Sequence, residues 1–294
     1  MSETKRLRSV VRGCLRRIHD DFTGIELRGE RTRVIDRSVD FSTKADSIIS
    51  RTIRAYFDSL PESYVVFSEE REHDTDHGAT RAVIADEIDG TANLIGGGGL
   101  PFGPVIAIAP DPDPLFADIT AVGFLSIPTG DLYEAYRGAG ASVVTGWIGG
   151  RNDTQLLSTS GRTRLSAEPP PNVLVDQYML GDRPELARTL WTTGYPGDFR
   201  SWAYHTAAVA RGSYDLAITG DHCALNDAKR ATAEELAGGY LLIREAGGHV
   251  TTWNGGRLDS KRIGMADTAT FDVVAAASEE LAVAASKRIR ETIE

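Results

Sequence analysis

Apolar positions recur at helical spacing at both ends of this chain and at strand spacing between. Leu7, Val10, Val11, Cys14, Leu15 and Ile18 step by threes and fours, with Arg8, Arg12 and Arg16 elsewhere on the wheel, which predicts an amphipathic first helix. Its basic face reads as solvated; contact with a membrane or nucleic acid is the other option. A second helix is predicted after Asp46, with Ile48, Ile49, Ile53, Tyr56, Phe57 and Leu60 as its stripe and Pro61 ending it. Tyr64-Val65-Val66-Phe67 and Ala82-Val83-Ile84-Ala85 read as buried strands. Ile106-Ala107-Ile108, Val122 to Ile127 and Leu132 to Tyr136, punctuated by Pro and Gly, predict an antiparallel sheet. The stretch from Gly149 to Pro171 is polar and ends in three prolines, a junction. From Val173-Leu174-Val175 onward strands alternate with helices, one through Ala237, Gly238, Gly239 and Leu241 to Ile243, the last from Leu281 to Ile293.

Both early strands run into acid. The second leads into Asp86-Glu87-Ile88-Asp89-Gly90-Thr91-Ala92-Asn93, so Asp86 is expected where the strand ends and Asp89 round the turn beside it. Two carboxylates so close repel unless a cation sits between them. Magnesium and calcium take oxygen ligands, and two such ions about 3.5–4 Å apart can hold the attacking and leaving oxygens of a phosphoryl displacement. Gly90 lets the backbone approach an anion, and Thr91 can hydrogen-bond a water or a phosphate oxygen. Taken alone, the same residue types also suit an ordinary turn. The first strand repeats the arrangement, ending in Ser68-Glu69-Glu70.

Together with Glu245-Ala246-Gly247-Gly248 at the end of the Gly-rich helix, these segments resemble the inositol monophosphatase and fructose-1,6-bisphosphatase superfamily of metal-dependent, often lithium-sensitive phosphatases. Ser42-Thr43-Lys44-Ala45-Asp46 is similar to its early threonine and aspartate segment. Tyr136 to Ala141 is similar to its hairpin motif, and Val209-Ala210-Arg211-Gly212 through Asp215 to the stretch before its last metal ligand. Five short matches in the family's order are stronger than any one. The resemblance implies a mixed α/β fold, a layered αβαβα sandwich. It implies two or three Mg2+ ions, with Mn2+ as a substitute, a small phosphorylated substrate and a homodimer. By it Glu69 binds the first metal and orients the nucleophilic water, Asp86 bridges two metals, the Ile88 carbonyl binds the first and Asp89 the second. Thr91 with Asp46 polarises the attacking water, and the Gly90 and Thr91 amides receive the phosphate.

The chain departs from the pattern in three places. Glu87 stands where the family has proline, adding a charge and removing a fixed φ. Glu235, preceded by Glu234, stands where the family has the aspartate for the second metal, with Asp221 and Asp227 as substitutes if the alignment slips. The Gly-Ser-Ala-Ala segment becomes Arg200-Ser201-Trp202-Ala203. Arg200, Ser201 and Trp202 are then candidates for a substrate wall that stacks a ring or pairs a second anion, the bland reading being a core Trp and a surface Arg.

At 294 residues and 41% hydrophobic composition the chain can bury a substantial core. The expected division is residues 1–150, carrying the acidic clusters, and 151–294, completing the site. A formal charge of −10 argues against general nucleic-acid binding, though bound cations can invert the sign locally. The charged start lacks a secretion signal and no apolar run spans a bilayer, so a cytoplasmic protein without membrane contact is expected. Cys14 and Cys223 are too few for a disulfide framework or zinc cluster. His73-Asp74-Thr75-Asp76-His77 lies in a polar loop with no apolar framing and reads as solvated. The chain lacks a P-loop, a Rossmann fingerprint and a nucleophile elbow, which speaks against a kinase, a dehydrogenase or a serine hydrolase. The expected function is a magnesium-dependent phosphomonoesterase of the inositol monophosphatase type using metal-activated water. Fructose bisphosphate or 3′-phosphoadenosine 5′-phosphate are alternative substrates, and a non-catalytic binding or regulatory relative is the second hypothesis.

Overall fold

A computed structural model describes residues 2–23, 44–68, 78–96, 99–166, 168–176, 184–220, 231–263 and 271–293. Helices α1 (Glu3–Thr23) and α2 (Lys44–Asp58) cover one face of a seven-stranded sheet. The sheet runs in chain order through β1 (Tyr64–Ser68), β2 (Arg81–Asp89), β3 (Gly103–Ala109), β4 (Ala121–Ser126), β5 (Asp131–Tyr136), β6 (Gly140–Thr145) and β7 (Asp153–Leu156). β1 and β2 are parallel and every later pair is antiparallel. A short helix, α3 (Thr91–Gly96), follows β2. The second half contributes β8 (Asn172–Val175), α4 (Pro184–Thr193), β9 (Tyr195–Gly197), α5 (Trp202–Ala210), β10 (Leu216–Thr219), α6 (Ala233–Glu245), β11 (His249–Thr252), β12 (Val273–Ala276) and α7 (Glu279–Ile293). Its five-stranded sheet has the order β11-β12-β10-β8-β9.

Side-chain alternation sorts these elements into layers. On β2, Val83 and Ala85 join the core under α1 and α2, while Ala82 and Ile84 join the core shared with α5 and α6. On the second sheet Leu174, Ala217 and Ala275 face that shared core; Val173, Ile218 and Val274 face α4 and α7. The result is a five-layer αβαβα sandwich, as the resemblance implied.

Three arginines of α1, Arg8, Arg12 and Arg16, face the sheet. Arg12 forks onto both oxygens of the buried Glu134 on β5, at 2.9 and 2.7 Å. Arg8 lies over the Tyr136 ring and Arg16 over Trp147, so the basic positions clamp the helix down. Periodicity could not reveal this, because the acidic partner lies more than a hundred residues away. Among the described residues no helix is long and apolar enough to cross a membrane. Cys14 is fully buried, and burial pushes its thiol up, so it is an inert core residue; Cys223 lies outside the described residues.

Helix α6 approaches the first sheet and α5 through its glycines. A Cβ on Gly238 would stand 2.3 Å from the Val105 side chain, and one on Gly239 would stand 2.6 Å from Thr206. Val105 pairs with Asp86, so this contact brings α6 up behind the acidic strand end.

Candidate active site

The two aspartates of the acidic segment both lie within β2. Asp86 pairs with Val105 and Asp89 with Gly103, so Glu87 and Ile88 on one strand stand opposite Pro104 alone on the other, which is a β-bulge. Strict alternation would send positions three apart to opposite faces. The bulge cancels that, and both aspartates fall on the side of α5 and α6.

Glu87 and Ile88 take the other face. The Glu87 carboxylate accepts a hydrogen bond from the Ser68 hydroxyl at the end of β1, and its Oε2 has no hydrogen-bond partner among the described residues. Burial pushes this carboxyl up to about 7, with the Asp46 charge adding to the shift. Asp46 sits in the first turn of α2, with Ser50 one turn later. Four carboxylates are thus buried around one strand end: Asp46, Asp86, Glu87 and Asp89 are 5%, 2%, 1% and 4% exposed.

Asp89 is held by the start of α5. Ser201 caps that helix, its hydroxyl donating to Asp89 Oδ1 and accepting the Tyr204 amide at 3.2 Å, while Asp89 Oδ2 accepts the Ala203 amide at 2.9 Å. Burial raises the Asp89 pKa despite these bonds. Gly90 then turns at φ 85°, a conformation that favours glycine. The Thr91 hydroxyl donates to the Ile88 carbonyl at 2.9 Å. Asn93, to which the sequence alone assigned no role, ties the region together. Its amide donates to the Pro101 and Phe199 carbonyls, both at 2.7 Å, joining α3 to the loop before α5. Its place just after the Gly-Thr turn was the only sequence signal.

Arg200 is exposed and adopts φ 53°. Trp202 is half-buried with its ring 6.1 Å from that of His205, which is itself buried and accepts the Phe199 amide at 2.9 Å. Glu235 is the third residue of α6. Its carboxylate accepts the Thr232 amide at 2.7 Å and its own amide donates to the Thr232 hydroxyl, a reciprocal capping box. Glu69, Asp221, Asp227 and the His73 to His77 stretch lie outside the described residues.

The other two motifs are braces. Both oxygens of Glu245 accept amides of the β5–β6 turn, from Gly138 and Gly140 at 2.9 Å each. Asp215 accepts the Asn172 amide at 2.8 Å and the Ser160 hydroxyl at 2.5 Å, fixing the start of β8.

The donor set suits a hard cation. It is all oxygen, it is negative, and burial works against ionisation of Glu87 and Asp89, a cost that a nearby cation would offset. Among the described residues, however, no three His, Cys, Asp or Glu side chains converge as a complete ligand set.

Solved structures share the fold. The extragenic suppressor protein suhB of Bartonella henselae aligns with a TM-score of 0.74 at 20% identity over 99% of both chains. An IMPase of Thermotoga maritima aligns at 0.74 and 18% identity over 98% of both. An IMPase/NADP phosphatase solved with NADP and Ca2+ aligns at 0.75 and 15% identity over 98% of this chain and 96% of its own. No curated protein matches the sequence. The profile of the inositol monophosphatase family, whose members are phosphatases, matches residues 4–293, and the chain belongs to that family.

Proposed function

We propose that this protein is a metal-dependent phosphomonoesterase acting on a small phosphorylated metabolite. The observation that carries the reading is the bulge that turns Asp86 and Asp89 to one face immediately before the Gly90-Thr91 turn. Asp86 and the Ile88 carbonyl would hold a divalent cation, Mg2+ or Mn2+, with Glu69 a further ligand by resemblance. Such an ion supplies Lewis acidity and makes a water nucleophilic near neutral pH. The first turn of a helix leaves leading N–H groups without intrahelical acceptors, so the Gly90-Thr91 backbone is suited to phosphate oxygens. Thr91, whose hydroxyl donates to the Ile88 carbonyl, would accept a hydrogen bond from an incoming water, with Asp46 as the base by resemblance.

The test is phosphate release from inositol, sugar-bisphosphate and nucleotide phosphates with magnesium titrated and EDTA as control. Turnover that disappears with EDTA and with Asp86→Asn supports the reading; turnover indifferent to both would sink it. A second reading, a non-catalytic relative that binds or regulates, is favoured by one observation, the commitment of Glu235 to capping its own helix. Silence across the panel, with phosphate still bound, would favour that reading.

A further inference from the structure

We infer that His205 is a positioning residue for the Gly90-Thr91 turn: its imidazole pins Phe199, and through Asn93 that pin holds the backbone which, on the phosphatase reading above, receives the phosphate. The residues from Asp198 to Ser201 belong to neither a helix nor a strand, so their backbone groups need partners from elsewhere. The Phe199 carbonyl accepts Asn93 Nδ2 at 2.7 Å, and the Phe199 amide donates to His205 Nε2 at 2.9 Å. Both polar groups of this one residue are therefore taken by side chains, one from the acidic segment and one from α5. Asn93 passes the constraint on. Its Nδ2 also donates to the Pro101 carbonyl at 2.7 Å, and its amide donates to the Gly90 carbonyl at 2.8 Å.

His205 stands one turn into α5. Its own amide donates to the Ser201 carbonyl at 2.9 Å, and Ser201 bonds Asp89, so one helical turn grips both the acidic strand end and the segment before the helix. The imidazole is 2% exposed, with the Phe199 ring 6.0 Å and the Trp202 ring 6.1 Å away. A backbone N–H can only donate, so Nε2 must offer its lone pair and the ring proton belongs on Nδ1. Asp198 Oδ1 lies 3.0 Å from the same nitrogen and takes its hydrogen bond from the Arg200 amide at 2.7 Å. A proton on Nε2 would point to Asp198 instead and leave the Phe199 amide without its acceptor. An unpaired N–H in such a place shifts an equilibrium that depends on it by about tenfold or more.

Two substitutions separate the acceptor atom from the bulk of the ring. Glutamine brings its Oε1 near the position of Nε2, whereas the shorter asparagine ends near that of Nδ1 and falls short of Phe199. Titration of the full chain with inorganic phosphate, in excess Mg2+ and read by calorimetry, is expected to show affinity lowered about tenfold in His205→Asn and kept within about twofold in His205→Gln. Amide hydrogen exchange in the segments holding Phe199 and Asn93 should quicken in His205→Asn alone. The imidazole 15N spectrum of the wild type, with the His205 signal assigned by its loss in His205→Gln, should show the Nδ1–H tautomer. An Nε2–H ring, or exchange unmoved in His205→Asn, would overturn the pin, and the ring spectrum decides this even where His205→Asn does not fold. Equal losses in the two variants would overturn the role of the acceptor atom. Quickened exchange with phosphate affinity unchanged would overturn the link to the Gly90-Thr91 turn. A wild-type protein that binds no phosphate counts against the phosphatase reading and that link, while exchange and tautomer still judge the pin.

Discussion

Asp89 on β2 and Ala203 on α5, more than a hundred residues apart, are joined by a hydrogen bond of 2.9 Å from the Ala203 amide to the Asp89 carboxylate. The bond makes the acidic strand end and the loop carrying Arg200 one unit. Asp89→Ala strands a buried N–H and removes the acceptor of the Ser201 hydroxyl, so a loss of about 1–3 kcal/mol in denaturant unfolding is expected. Phosphate release should fall as well, because the start of α5 is no longer held. A variant as stable as the wild type would mean that α5 is anchored elsewhere.

Glu87 gives the stability a definite pH dependence. Its folded pKa of about 7 lies above the ordinary value of 4.5, so the fold favours the protonated form. Its contribution is full below the ordinary carboxylate pKa and is lost as pH rises through 7; the gap corresponds to roughly 3 kcal/mol. Glu87→Gln keeps an acceptor for Ser68 and cannot ionise. In metal-free protein this substitution should therefore stabilise strongly at pH 8 and far less at pH 5. Equal effects at the two pH values would show that Glu87 is ionised at little cost.

The layers were legible because periodicity reports which face of an element is buried, and the strand and helix cores fall where the apolar runs placed them. The strand end was harder to read. Asp86 and Asp89 were recognisable as a pair, but their common face depends on a bulge set by the pairing of β2 with β3, which no local pattern encodes. Arg12 and Glu134 show the same limit on the opposite side of the sheet. The basic stripe was visible, while its buried partner on β5 was one of many acids until the fold brought them together. Glu235 was legible as a carboxylate in the family's ligand position, and the Thr232 three residues earlier was the overlooked signal of a capping box.

Glu245 should behave as a brace. Its two oxygens take the Gly138 and Gly140 amides, so Glu245→Ala removes two charge-assisted hydrogen bonds and should cost about 2–4 kcal/mol. Thermal unfolding should shift down, while activity per folded molecule at 25 °C is kept. A large fall in activity without a fall in stability would place Glu245 in the chemistry instead.

Gly90 offers a test in which the site should suffer together with the fold. Its φ of 85° is disfavoured for any L side chain, at about 1–2 kcal/mol. A Cβ there would stand 3.0 Å from the Pro101 carbonyl oxygen and 3.2 Å from both the Phe102 and Ser201 Cβ atoms. Two of those neighbours are stiff: Pro101 accepts Asn93, and Ser201 is bonded to Asp89. Gly90→Ala must therefore push α5 and the Arg200 turn away from β2. The expected result is a loss of about 2 kcal/mol or more in stability together with weaker phosphate binding, because the backbone cradle is displaced. Phosphate binding by titration calorimetry at a temperature where Gly90→Ala remains folded separates the two losses. Undiminished phosphate affinity in that variant would mean that the anion binds away from this turn.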